Sequence, residues 1–166
     1  MKFGRIFGST LLALSLVAGA ASAAPTEVSN NDYKVSIARP DGWADVEGND
    51  RAVFNFKHDA SHTQLEVIGT QLMTGDVSNV FFDTFHETLA SSEFTRTGRE
   101  EKKYNNIEGT ETMYSFSHSG VNMKVVVFQF VHETTAYVAV AYVQQEQFDA
   151  MLPVYQAAVS SMKFGE

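Results

Sequence analysis

Apolar residues fill nearly every position of Val125-Val126-Val127-Phe128-Gln129-Phe130-Val131 and of Tyr137-Val138-Ala139-Val140-Ala141-Tyr142-Val143. A strand with one solvated face alternates, so continuous runs of this kind predict strands buried on both faces. Elsewhere the period is two. Residues 33–38, 52–57 and 64–72 alternate, with Arg39-Pro40-Asp41-Gly42 as turn chemistry after the first, and these predict a meander. Residues 94–105, 107–119, 122–132 and 135–144 predict four further strands, broken at Asn105-Asn106, Ser119-Gly120 and Glu133-Thr134.

Between the two groups the period lengthens. Asp76 is a candidate N-cap, and Val77, Val80, Phe81, Phe85 and Leu89 follow at the spacing of one helical face. Thr84 and Thr88 fill in that stripe; Asp83, His86 and Glu87 then fall on the water side, with Phe82 at the margin. One helix covers only one face of a doubly buried sheet. Phe148, Met151, Leu152, Tyr155, Val159 and Met162 supply a second, with Pro153 starting or kinking a helical segment. The predicted fold class is α+β: an α/β/α sandwich with a mostly antiparallel sheet of about six or seven strands and a helix on each face.

The first residues follow a different pattern. Lys2 and Arg5 precede an apolar run over residues 6–20 that ends in Ala21-Ser22-Ala23, the order of parts in a cleavable secretory signal. Residues 1–23 are therefore read as a signal peptide, 24–32 (APTEVSNND) as a polar, mobile strip, and 33–164 as one domain. Cleavage after Ala23 leaves 143 residues with 10 basic against 20 acidic side chains. Such an acidic surface repels phosphate backbones and anionic headgroups, which excludes nucleic acid and membrane surfaces as expected partners. The chain has no cysteine, hence no disulfide, no thiolate nucleophile and no acylated anchor. With 44% apolar residues and 13 Phe it has the material for a core that holds without cross-links, and the expected location is periplasmic or extracellular.

Several words at element edges carry a resemblance. Tyr33-Lys34-Val35-Ser36-Ile37 followed by Pro40-Asp41-Gly42-Trp43, then Phe54, a helix, a long hairpin and a last helix ending Val159-Ser160-Ser161-Met162-Lys163-Phe164, resembles the PsbP-like superfamily, which includes DcrB-type bacterial envelope proteins. The resemblance implies a non-enzymatic module that docks on a larger assembly, without a catalytic constellation or cofactor to carry over. The chain departs from lipoprotein members in having no cysteine, and its leader resembles no chloroplast targeting segment.

Chemistry-bearing residues are few. His58, Asp59 and His62 supply imidazoles and a carboxylate of the kind that hold zinc or copper. The simpler reading is a polar hairpin loop, since their spacing gives a shared face only on a helix. Asp45, Glu47, Asn49 and Asp50 place oxygens as a calcium loop would, yet Asp50 and Phe56 stand where the turn glycine and bidentate glutamate belong. Trp43 is either a ligand platform and partner anchor or an aromatic packed over the core edge. His86 and Glu87 could serve as base and acid, or form a solvated helix face; His118 lies between Ser117 and Ser119, but neighbours along a strand point to opposite faces; His132 has no nearby partner in sequence and reads as surface. The mixed-sign run Gly98-Arg99-Glu100-Glu101-Lys102-Lys103 reads as a guarded hairpin edge, or as a docking edge.

The expected function is a soluble exported accessory module that binds a protein partner in the cell envelope through a sheet edge or helix face. The alternative is a periplasmic protein that binds a small ligand or metal.

Overall fold

A computed structural model describes residues 25–48, 50–73 and 78–165. The leader 1–23, Asn49 of the acidic loop, and the first helix's proposed cap Asp76 with Val77 lie outside the described residues.

The strands are β1 (Thr26–Asn30), β2 (Val35–Arg39), β3 (Ala44–Asp45), β4 (Ala52–His58), β5 (Thr63–Gln71), β6 (Thr95–Tyr104), β7 (Ile107–His118), β8 (Val121–His132), β9 (Thr135–Gln144) and β10 (Lys163–Phe164). Helix α1 (Ser78–Ser91) lies between β5 and β6, and α2 (Phe148–Ser160), which runs through Pro153, between β9 and β10. A seven-stranded sheet has the order β3-β4-β5-β9-β8-β7-β6, and a three-stranded sheet the order β1-β2-β10. Every pairing is antiparallel.

The doubly apolar runs sit where their composition requires. Val125, Val126, Val127 and Phe128 of β8 and Ala136, Ala139, Val140 and Ala141 of β9 are wholly buried. Alternate residues divide between two clusters: Val125 and Val127 join Phe82 and Leu89 of α1, whereas Val126, Phe128 and Phe130 join Tyr155, Ala158 and Val159 of α2. Tyr155 anchors α2 by donating to the carbonyl of Ala139 at 3.0 Å.

Three features depart from the sequence reading. The strip 24–32, expected to be mobile, contains β1, which pairs with β2 from Thr26↔Arg39 to Asn30↔Val35. The first alternating strand does not join a meander with β4; it pairs with β1 and β10, and the two-residue β3 takes the place beside β4. Period-two alternation records which face is buried, not which strand is the neighbour. Third, α1 is rotated. Phe81, Phe85 and Leu89 of the expected stripe pack on the core, but Phe82 is buried with them, Val80 is 65% exposed, and His86 faces polar partners on the sheet.

Candidate functional site

The residues singled out in the sequence lie apart or engage one another. Trp43 is only 7% exposed and belongs to the core, its ring stacked on His58 with centroids 5.7 Å apart. It therefore offers a partner almost no surface. His58 Nδ1 lies 2.7 Å from Ser61 Oγ. Asp59 turns to Lys57 Nζ at 2.8 Å, and that hydrogen bond holds its carboxyl below the usual range. His62 adopts a left-handed φ of 49° at the end of a single 3-10 turn. Among the described residues no three His, Asp or Glu groups converge as a metal site would need.

In the acidic loop, Asp45 pairs with Arg39, and the backbone carbonyl of Glu47 accepts from Asn55 Nδ2 at 3.1 Å. His118 lies 3.4 Å from Glu93, while Ser117 Oγ donates to Asn122 Oδ1. His132 stacks on Phe164 with centroids 3.9 Å apart.

The free end of the large sheet is different. β6 pairs with β7 alone, and among the described residues no strand lies on its outer side. Thr95 through Glu101 are exposed on both faces, Lys103 is exposed, and only Tyr104 is buried. β6 carries Arg96, Arg99, Lys102 and Lys103 against Glu100 and Glu101.

The register assigns these charges to faces, since directly opposed residues in an antiparallel pair share a face. Arg96 opposes Tyr114, Arg99 opposes Thr112, and Glu101 opposes Thr110. Tyr114 and Thr112 in turn oppose Val125 and Val127, which belong to the α1 cluster. Residues three apart on a regular strand lie on opposite faces. Here the register shifts between Arg96 and Gly98, so Thr97 is an extra residue and the two arginines share the α1 side. Sequence parity alone misses this.

The opposite side of β6 is already neutralised. Lys102 Nζ bonds Glu100 at 2.9 Å and approaches Glu111 Oε1 at 3.7 Å. The hydrogen bond to Glu100 raises the Lys102 pKa against the opposing cost of its burial. Glu111 is 2% exposed and accepts from the Tyr104 hydroxyl, whose ionisation is pushed up by burial and then by that carboxylate. On the arginines' own side, Lys103 bonds Glu108 at 2.7 Å and Glu101 accepts from Thr110 at 3.0 Å. Among the described residues Arg96 and Arg99 have no ion pair. Burial pushes the Tyr114 hydroxyl up, and the nearby Arg96 and Arg99 guanidinia pull the other way.

A groove of about 460 Å³ runs between α2 and the β2–β3 turn, lined mainly by Pro25, Ala38, Pro40, Pro153, Val154 and Ala157. No helix among the described residues is long and apolar enough to cross a membrane.

No protein-family model matches the chain, and no curated protein matches its sequence. Solved structures do. The chain is similar to cyanobacterial PsbP (CyanoP) from Synechocystis sp. PCC 6803, with TM-score 0.62 and 12% identity over 89% of this chain and 96% of that one. It is also similar to LpqN, involved in cell envelope biogenesis of Mycobacterium tuberculosis, with TM-score 0.58 and 13% identity over 85% and 90% of the two chains. A third neighbour is the Ran-binding protein Mog1p of Saccharomyces cerevisiae, at TM-score 0.56 and 11% identity over 84% and 95%. At these identities what is shared is the architecture, and that architecture is the PsbP-like fold.

Proposed function

We propose that this chain is an exported, non-catalytic accessory module that docks a protein partner in the cell envelope through the β6 edge of its large sheet. The observation that carries the reading is β6 itself: a ten-residue edge strand, exposed on both faces through Glu101 and displaying two arginines that have no ion pair among the described residues. Backbone donors and acceptors along such an edge are the natural template for an added strand. The likeness to a Ran-binding protein and to a protein of envelope biogenesis supports a docking role on this fold. The leader of residues 1–23 supports export. The division of β8 side chains between the α1 and α2 clusters supports a sheet covered by a helix on each face.

A photo-crosslinking amino acid at Thr97, in the full chain expressed in its own cells, tests the docking surface. The expected result is a discrete crosslinked partner from position 97 and none from the same probe at Asp83 of α1. Capture from both positions alike, or from neither, removes the reading. Amino-terminal sequencing of the protein recovered from cells tests export, with Ala24 expected as the first residue.

A further inference from the structure

We infer that the segment added to β6 is an extended acidic strand whose carboxylates, two residues apart, pair with Arg96 and Arg99. The inference rests on the β6 docking reading and names the chemistry of the partner. It starts from the bulge. Thr97 places Arg96 and Arg99 on one side of the sheet, opposite Tyr114 and Thr112, which are themselves two residues apart. Two ladder steps span about 7 Å. An incoming strand has its own side chains repeating at that interval on one face, so acidic residues at i and i+2 meet both guanidinia at once. Arg suits the role because its planar fork grips a carboxylate bidentately.

Charge selects the occupant. The chain as a whole is at −8, whereas β6 carries four basic residues against two acidic ones. A basic strand brings like charge against the arginines, and a second copy, whose Glu100 and Glu101 are adjacent and hence on opposite faces, brings only one carboxylate to that side. Lys102, on the α2 side, is engaged by Glu100 and Glu111, and Lys103, on the arginines' side, by Glu108, so neither adds much attraction. A mixed-sign edge of this kind deters indiscriminate pairing and still admits a strand of the right charge pattern. The bulge, which elsewhere merely twists an edge away, here also sets the spacing of the recognition pair.

Fluorescence anisotropy on the intact protein provides the test, using the labelled peptide Thr-Val-Glu-Val-Glu-Val-Thr. Controls are the same peptide with Lys for Glu, and one with the two Glu adjacent and hence on opposite faces. Two exposed ion pairs at the upper end of their usual strength correspond to about thirtyfold in Kd. The alternating acidic peptide is therefore expected to bind about thirtyfold more tightly than the lysine control, and about fivefold more tightly than the adjacent-Glu control, which keeps one carboxylate on the arginines' face. The double substitution R96Q/R99Q removes that advantage, and added salt erodes it. Both arginines are exposed, so the variant keeps the fold, which circular dichroism confirms. Amide shifts on peptide binding are expected at residues 98–103. Equal binding of the acidic and basic peptides, or unchanged preference in R96Q/R99Q, overturns the inference. Concentration-dependent dimerisation abolished by R99E also overturns it, in favour of a second copy. Partner capture at Thr97 together with indifference to the acidic peptide leaves docking standing and removes only the acidic chemistry. Amide shifts that avoid β6 altogether, with no capture at Thr97, remove both.

Discussion

His86 Nδ1 on α1 lies 2.6 Å from the hydroxyl of Tyr114 on β7, and its Nε2 meets Oε1 of Gln129 on β8. The amide oxygen accepts from Nε2–H, which leaves Nδ1 to accept from the tyrosine O–H, so the neutral imidazole is satisfied at both nitrogens. The rings of His86 and Tyr114 also stack at 5.9 Å. One histidine thus joins the helix to two adjacent strands and fixes its rotation. Tyr114→Phe should cost about 1 kcal/mol, and His86→Ala about 2 kcal/mol because two hydrogen bonds and a ring contact go together. Urea midpoints measure both, and the double variant should fall short of the sum by about 1 kcal/mol. A solvated His86 would give no loss and no coupling.

Glu111 illustrates the opposite economy, a carboxylate taken almost wholly out of water and kept there by a phenol and a partly buried ammonium. Tyr104→Phe removes the direct donor while leaving the charge behind. The expected cost is about 2 kcal/mol, within the range for hydrogen bonds to charged groups. Glu111→Gln in the Tyr104→Phe background should recover part of it, since a neutral amide tolerates burial better than a carboxylate. Failure of that rescue in denaturant titrations would show that the carboxylate is solvated.

Stability should decline in alkali, and the sign follows from the tyrosines. Burial raises the hydroxyl pKa of Tyr104, Tyr114, Tyr137, Tyr142 and Tyr155, that of Tyr142 to about 12. The unfolded chain releases these protons near the ordinary value of about 10, so above that pH it holds fewer protons than the folded chain. The slope of unfolding free energy with pH is then negative. The stabilisation is complete below about pH 10 and is lost as pH rises toward the folded values. Thermal melts across this range should show Tm falling above about pH 10, less steeply in Tyr142→Phe. A Tm unchanged well above that pH contradicts the assignment.

Legibility in the sequence tracked burial. The runs at 125–131 and 137–143 announce two central strands because a strand covered on both sides has no reason to alternate. β1 is silent because its five residues are exposed or half-buried and carry no apolar period. β10 has only Lys163 and Phe164, too short for any pattern. The stripe counted on α1 favours Val80 over His86, since hydrophobicity does not distinguish a hydrogen-bonded histidine from a solvated one. At the edge, the mixed charges of residues 98–103 are plain to read. The alignment of Arg96 with Arg99 is not, because a single bulged residue inverts the parity on which strand reading depends.

Thr112 and Gly109, both on β7, respond to substitution in opposite directions. The Thr112 side chain is 1% exposed and its hydroxyl is a buried polar atom without a hydrogen-bond partner. Thr112→Val replaces that orphan with a methyl of nearly the same shape, so stability should hold or rise by about 1 kcal/mol. Gly109 leaves no such latitude. A Cβ there would stand 2.3 Å from the backbone carbonyl oxygen of Gln129 and 2.8 Å from the Phe128 ring. The ring has little room to retreat, being wholly buried and edge-on to Tyr104 at 4.8 Å. The carbonyl belongs to β8, whose pairing with β7 continues through Thr110↔Gln129, so relief requires the two strands to separate. Gly109→Ala should therefore cost about 2–3 kcal/mol, at the upper end of what overpacking does. It should also loosen the Tyr104–Glu111 contact, read as faster amide exchange over residues 104–111. Native-like stability in Gly109→Ala would mean that the two strands are less tightly joined at this end.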